Sequence, residues 1–218
     1  MLIALAAAAV GFAAGWLAGA RQHLIYRQQE YRDAPATGAA AWLIRAGVGL
    51  ATAAVVGLAF RPDHYDFGPA LLTAVLGFLL VLVASTDFER RIIPNRVSYP
   101  GIVLAAAFCW AWPDRSVADV FLGGGVALGA AVAIFVLGEL LMRVTTPPFG
   151  IGDVKLLLWM GLVVGWPAIM SAALLGILAG GLIAVVYLVQ GQRGKYFGYG
   201  PNLIAGALAA MLWMDRFN

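Results

Sequence analysis

Charge is what this chain has least of. Only 11% of its 218 residues are Asp, Glu, Lys or Arg, where soluble domains carry roughly 25%. With 62% hydrophobic residues and a mean hydropathy of +0.88, that deficit excludes a soluble enzyme held by a single anchor. Cysteine is also scarce. Cys109 stands alone, which excludes an internal disulfide and a cysteine zinc cluster. It lies in an apolar stretch and reads as a small buried hydrophobe. The two histidines, His23 and His64, fall at opposite predicted interfaces, so they cannot share a metal and no metal site is expected. The net charge of +3 comes from basic residues scattered at segment ends, which is no footprint for nucleic acid. The apolar stretches do not alternate, which disfavours a strand barrel.

What remains is long apolar runs. A spanning helix needs about 20 mostly apolar residues. The candidates are Leu2–Ala20, Trp42–Phe60, Gly68–Ser85, Ser98–Trp112, Val117–Met142, Val154–Val164 with short extensions, Ala168–Val189 and Pro201–Met214. The fourth and sixth are short for a bilayer. Met1–Ala20 lacks a charged n-region and reads as a retained helix whose Ala and Gly residues suit close packing. The expected fold is therefore all-α: a polytopic membrane protein of about eight transmembrane helices. Placing both termini outside puts eleven of the fourteen basic residues on the inner side, as the positive-inside rule demands. The longest connection, 21–41, is too short for a soluble domain and is expected to be an interfacial helix in part, or disordered. The chain reads as one membrane domain, 1–218, with two N-terminal helices and a short cytoplasmic loop in 1–66 and a core in 67–218.

Three motifs interrupt the apolar runs. Asp87 closes the third run and is followed by Ile93-Pro94-Asn95. Pro94 forces a turn, and Asn95 is suited to cap the next helix. Phe149-Gly150-Ile151-Gly152-Asp153-Val154-Lys155 opens the sixth run. Its glycines permit unusual backbone shapes and close approach by another chain, and Pro147 and Pro148 precede it as a hinge or rigid turn. Tyr199-Gly200-Pro201-Asn202 opens the last run. Each has a plain alternative: a loop with topogenic arginines, an N-capping aspartate, and a turn before a helix. Ionisable residues at a membrane boundary nevertheless mark functional sites. The charge count places Asp87 and Asp153 on the same, cytoplasmic side.

In this order the motifs resemble those of the type IV prepilin peptidase family, membrane aspartic proteases that share Gly-x-Gly-Asp with preflagellin peptidases and, more distantly, presenilins. The resemblance runs from Leu71 to about Ala210. It implies that Asp87 and Asp153 are catalytic, with Pro94, Asn95, Gly150, Gly152, Lys155, Gly200 and Pro201 binding substrate or supporting the motifs. It implies a prepilin or pseudopilin partner, with a basic leader and an apolar helix, cut at the cytoplasmic face of a bacterial inner membrane among membrane lipids. No cofactor is expected for hydrolysis. Larger members also carry a cytoplasmic domain, often with zinc-binding cysteine pairs, and N-methylate the trimmed product with S-adenosylmethionine. Here the 21–41 connection is short and cysteine-free, and 11–27 only faintly echoes the family's N-terminal motif, so methyl transfer is not expected.

Two carboxylates near one water cannot both ionise cheaply, so they should share a proton. Asp87, at a helix C-terminus, is expected to be the acid, and Asp153, near an N-terminus, the base. Glu139 either lines an aqueous route or snorkels to the interface. Trp42, Trp110, Trp112, Trp213 and Tyr65 are expected to be interfacial anchors, and Asp63, Asp66, Asp114 and Asp215 solvated loop acids. The alternative function is a transporter or proton channel using the same carboxylates.

Overall fold

The computed structural model describes residues 1–26, 36–62, 64–142, 150–191 and 198–213. Among these the structure is all-helical, with no strand. The helices are α1 (Leu2–Arg21), a short α2 (His23–Tyr26), α3 (Gly38–Ala59), α4 (Phe67–Arg90), α5 (Asn95–Ala107), α6 (Val117–Met142), α7 (Ile151–Val164), α8 (Ala168–Val189) and α9 (Gly200–Trp213), with a 3₁₀ turn at Cys109–Ala111. Five of them, α1, α3, α4, α6 and α8, are long and apolar enough to cross a membrane. The other three helices on predicted spans, α5, α7 and α9, have 13, 14 and 14 residues. At about 1.5 Å per residue they reach about 20 Å, short of a hydrocarbon core of about 30 Å.

The chain divides into two compact units, Met1–Gly101 and Ile102–Asn218. In the first, α1 packs along α3, and α3 along α4. The buried residues of α1 are Gly11, Gly15 and Gly19, one per turn. A Cβ on Gly15 would lie 2.6 Å from the Val48 carbonyl oxygen, so glycine there is what lets the two backbones approach. Hydrocarbon gives apolar side chains no reason to leave lipid, so small residues and close contact drive such pairing.

The second unit repeats the device. A Cβ on Gly123 of α6 would lie 2.6 Å from the Gly165 carbonyl carbon, and one on Gly161 of α7 would strike the Gly123 carbonyl oxygen. Between α8 and α9, a Cβ on Gly206 would strike the Ala172 carbonyl oxygen. The buried residues of α8 are Ile169, Ala172, Gly176 and Gly180, one stripe, while Leu174, Leu178, Leu182 and Val185 are more than half exposed. A helix apolar all round with a single packed stripe is solvated by lipid. The protein is a multi-pass membrane protein.

Several expectations move. The third span runs on as helix to Arg90, because nothing in Thr86-Asp87-Phe88-Glu89 breaks it. The fourth begins at Asn95 and breaks at Phe108 into the 3₁₀ turn. Trp112 is no interfacial anchor: it is 2% exposed and the Arg115 guanidinium lies 4.9 Å from its ring centroid. Asp114 is an exposed loop acid, as expected, and it pairs with Arg115 Nη2 at 2.6 Å. Cys109 is buried as expected. Asp63, Pro147, Pro148, Phe149, Asp215 and the side chain of Glu139 lie outside the described residues.

Candidate active site

Asp87 is set by how α4 ends. Arg91 takes a left-handed conformation, φ 56° and ψ 43°, and its N–H donates to the Asp87 carbonyl at 2.8 Å. That closes the last turn and turns the chain sharply. Ile92, Ile93 and Pro94 are buried after it. The Thr86 hydroxyl lies 3.0 Å from both the Val83 and Ile92 carbonyl oxygens. It has one proton and donates to one of them at a time, which ties the loop to the helix. The first backbone bonds of α5 run from Val97 and Ser98 to the Pro94 carbonyl, each 3.0 Å. Pro94 therefore supplies the cap carbonyl, and Asn95, expected to cap, is the first helical residue and exposed. Proline suits this place because it has no N–H to leave unpaired. The Asp87 side chain is buried, 5% exposed. Its position in a C-terminal turn disfavours negative charge.

Asp153 occupies the opposite kind of helix end. Gly150 is the N-cap of α7 and Asp153 its third residue. Asp153 Oδ2 accepts the Gly150 N–H at 2.9 Å, and the Asp153 N–H donates to the Gly150 carbonyl at 3.0 Å. This is half a capping box, because glycine has no side chain to return the bond. The plain alternative for Asp153, a capping role, thus holds locally, though at the third helical position rather than the cap itself. It does not exhaust the residue: a carboxylate has two oxygens and about four acceptor sites. Gly150 needs no special conformation. At φ −96° and ψ 165° its backbone is extended, and a Cβ would meet Asp153 Oδ2 only at 3.7 Å. Its value lies in a small, open surface. Gly152 and Lys155 follow in the first two turns, both partly buried.

The far end of α7 is held by Arg115, whose Nη1 donates to the Val163 and Val164 carbonyls, the latter at 3.1 Å. A cation at a helix C-terminus satisfies orphan carbonyls and the dipole together. In the third motif, Asn202 and Leu203 donate to the Tyr199 carbonyl at 3.1 Å, so Gly200 and Pro201 form the first turn of α9, where a missing N–H costs nothing. Gly180 makes room for the Tyr199 ring, since a Cβ there would lie 3.1 Å from Tyr199 Cε1.

The first unit holds Asp87, Pro94 and Asn95. The second holds Gly150, Gly152, Asp153, Lys155, Gly200 and Pro201, on α7 and α9, which pack together. Sequence reasoning passed over Gln22, Ser85 and Glu89, which are joined by hydrogen bonds around the end of α4. Nothing in their spacing announces this, because the link spans 63 and 67 residues.

Residues 74–185 match the type IV leader peptidase family, an interval that contains both helix ends with Asp87 and Asp153. The chain belongs to that family. It is similar to a prepilin leader peptidase/N-methyltransferase of Bacillus subtilis (strain 168), 30% identical over 139 residues, 63% of this chain and 53% of that protein. It is also similar to the proteins of the same name from Aeromonas salmonicida (strain A449), 27% identical over 172 residues, 74% of this chain and 54% of that one, and from Aeromonas hydrophila, 28% identical over 156 residues, 66% of this chain and 50% of that one. The chain spans about half the length of these relatives. No solved structure matches it.

Proposed function

We propose that this protein is an aspartic endopeptidase that removes the basic leader from type IV prepilins or pseudopilins at the cytoplasmic face of the inner membrane. The observation that carries the reading is that the family match contains both Asp87 and Asp153, each at the end of an apolar helix. In this reading Asp87 and Asp153 converge on one water. The ionised carboxylate takes a proton from the water as its oxygen attacks the scissile carbonyl carbon. The protonated carboxyl hydrogen-bonds the carbonyl oxygen. The tetrahedral adduct then collapses, the C–N bond breaks, and the departing amine takes the proton that the base carboxylate gained from the water. The macrodipoles favour Asp153 as the initial base and Asp87 as the acid.

The proposed topology has eight crossings with both termini outside, the short α5, α7 and α9 crossing a locally thinned bilayer, which places both motifs on the inner side and makes 1–218 one membrane domain. Pro94 and Asn95 shape the turn after the first carboxylate. Gly150 and Gly152 leave room for an extended substrate backbone, Lys155 lies near the second carboxylate, and Gly200 and Pro201 open the helix packed beside α7. Thiol labelling tests this topology in a chain with Cys109→Ala. Arg91→Cys and Ile151→Cys should both react from the cytoplasmic side, and reaction from opposite sides would refute a shared site.

Hydrolysis is the only chemistry assigned. S-adenosylmethionine, which the relatives' second activity implies, carries a sulfonium charge to be balanced. In the first unit a cavity of about 480 Å³ is lined by one carboxylate, Glu89. That group is engaged by the Gln22 amide and lies 3.6 Å from Arg90 Nε, so it does not fit the role.

The deciding experiment incubates the purified chain, in detergent or lipid, with a peptide joining a basic leader to an apolar helix, and reads product masses. Asp87→Asn and Asp153→Asn should each abolish the cut. Ion flux through reconstituted protein, without cleavage, would favour the transporter instead.

A further inference from the structure

Gln22 directly follows α1 and is 3% exposed. Its side chain reaches two residues of α4 at once. Nε2 donates to Glu89 Oε2 at 2.5 Å, and Oε1 accepts from the Ser85 hydroxyl at 2.8 Å. A carboxylate only accepts and the hydroxyl here donates, so these two partners fix which way the amide points. Ser85 and Glu89 are four residues apart and share a face of α4. Asp87 lies midway between them in sequence. At about 100° per residue it projects from roughly the opposite face. Gln22 therefore grips the last turn of α4 from behind Asp87, above and below it.

The end of a helix is where fraying is easiest. Two other features hold this end, the Arg91 N–H on the Asp87 carbonyl and the Thr86 hydroxyl on the following loop. Both are local to α4 and its loop. Gln22 supplies a link to another helix, through a charge-assisted bond on one side.

We propose that Gln22 is a positioning residue for hydrolysis: it braces the final turn of α4 so that the Asp87 carboxyl keeps its height and azimuth. This rests on the assignment of Asp87 as catalytic. In this role Gln22 acts through Asp87. A displacement of about 1 Å at a reacting group lowers rate by about a hundredfold.

The test uses the full chain in lipid nanodiscs, the leader–helix peptide as substrate, and amide hydrogen exchange over 83–92 as a readout that needs no turnover. Gln22→Leu should lower kcat by about tenfold to a hundredfold, leave KM within about twofold, and speed exchange over 83–92. Ser85→Ala removes one arm and should lower kcat by about threefold to tenfold. The double exchange Gln22→Glu with Glu89→Gln keeps one amide donor, one carboxylate acceptor and the Ser85 donor, so it should restore both kcat and exchange protection. Unchanged exchange in Gln22→Leu overturns the brace whatever the enzyme cleaves. Lost kcat that the double exchange does not recover also overturns it. Faster exchange in Gln22→Leu, with a wild-type chain that cuts no leader peptide, would instead overturn the peptidase reading, and the positioning role of Gln22 in hydrolysis with it.

Discussion

Asp87 and Asp153 sit at helix ends of opposite sign. Asp87 is buried in the closing turn of α4, where the dipole opposes its charge, and that turn is held by Arg91, Thr86 and Gln22. Asp153 is half-buried in the opening turn of α7, where the dipole favours its charge, and it holds that turn itself by accepting the Gly150 N–H. One carboxyl is positioned by its surroundings; the other helps to position them. Pairs of acids whose surroundings push them apart are how acid and base roles divide. The contrast also predicts that the two aspartates differ in what they do for stability.

The largest effect expected is on cleavage. Asp87→Asn and Asp153→Asn should each lower kcat by at least about 10²–10⁴-fold, read as product mass in timed digests. Near wild-type rates from either variant would end the comparison. Next come the helix contacts that carry the second and third motifs. Gly206→Val drives a side chain into the Ala172 carbonyl and should destabilise the second unit by about 1–3 kcal/mol or more, visible as a lowered thermal midpoint in detergent. Gly38→Ala, by contrast, meets nothing within 4 Å and should show only backbone strain from its φ of +61°. Arg115→Ala frees the C-terminal carbonyls of α7 and should cost about 1.5–3 kcal/mol. Its kcat should fall little, because the change lies at the end of α7 remote from Asp153. The smallest effect sharpens the contrast most. Asp153→Ala should lower stability by about 0.5–1 kcal/mol through loss of the acceptor for the Gly150 N–H at the N-terminus of α7. Asp87→Asn should leave the thermal midpoint unchanged or raise it, since it removes a charge the helix end disfavours. Equal losses from the two would show that their surroundings do not differ as described.

The helices were legible because lipid demands continuous apolar runs. Val117–Met142 and Ala168–Val189 begin and end as helices where the apolar runs do. The boundaries that shifted are those set by polar or local geometry. Arg91 ends α4 through a left-handed turn that its residue type does not announce. Pro94 replaces Asn95 as the cap of α5 because a backbone carbonyl, which every residue has, did the capping. Trp112 read as an interfacial residue, but it is buried with the Arg115 guanidinium over its ring. The motif residues of the candidate site were legible for a different reason: a carboxylate or a proline at the edge of an apolar run stands out against it.

Composition and periodicity alone determined that this chain is a helical membrane protein and that Asp87 and Asp153 are its two conspicuous acids at helix ends, since burying backbone in lipid leaves few alternatives. Only the tertiary structure decided which helices touch and what supports each acid. Glycine contacts such as Gly15 on Val48 and Gly206 on Ala172 depend on which faces meet. The grip of Gln22 on Ser85 and Glu89 joins residues more than sixty positions apart. Hydrogen bonds at that separation obey distance and direction in space, and no spacing along the chain encodes them.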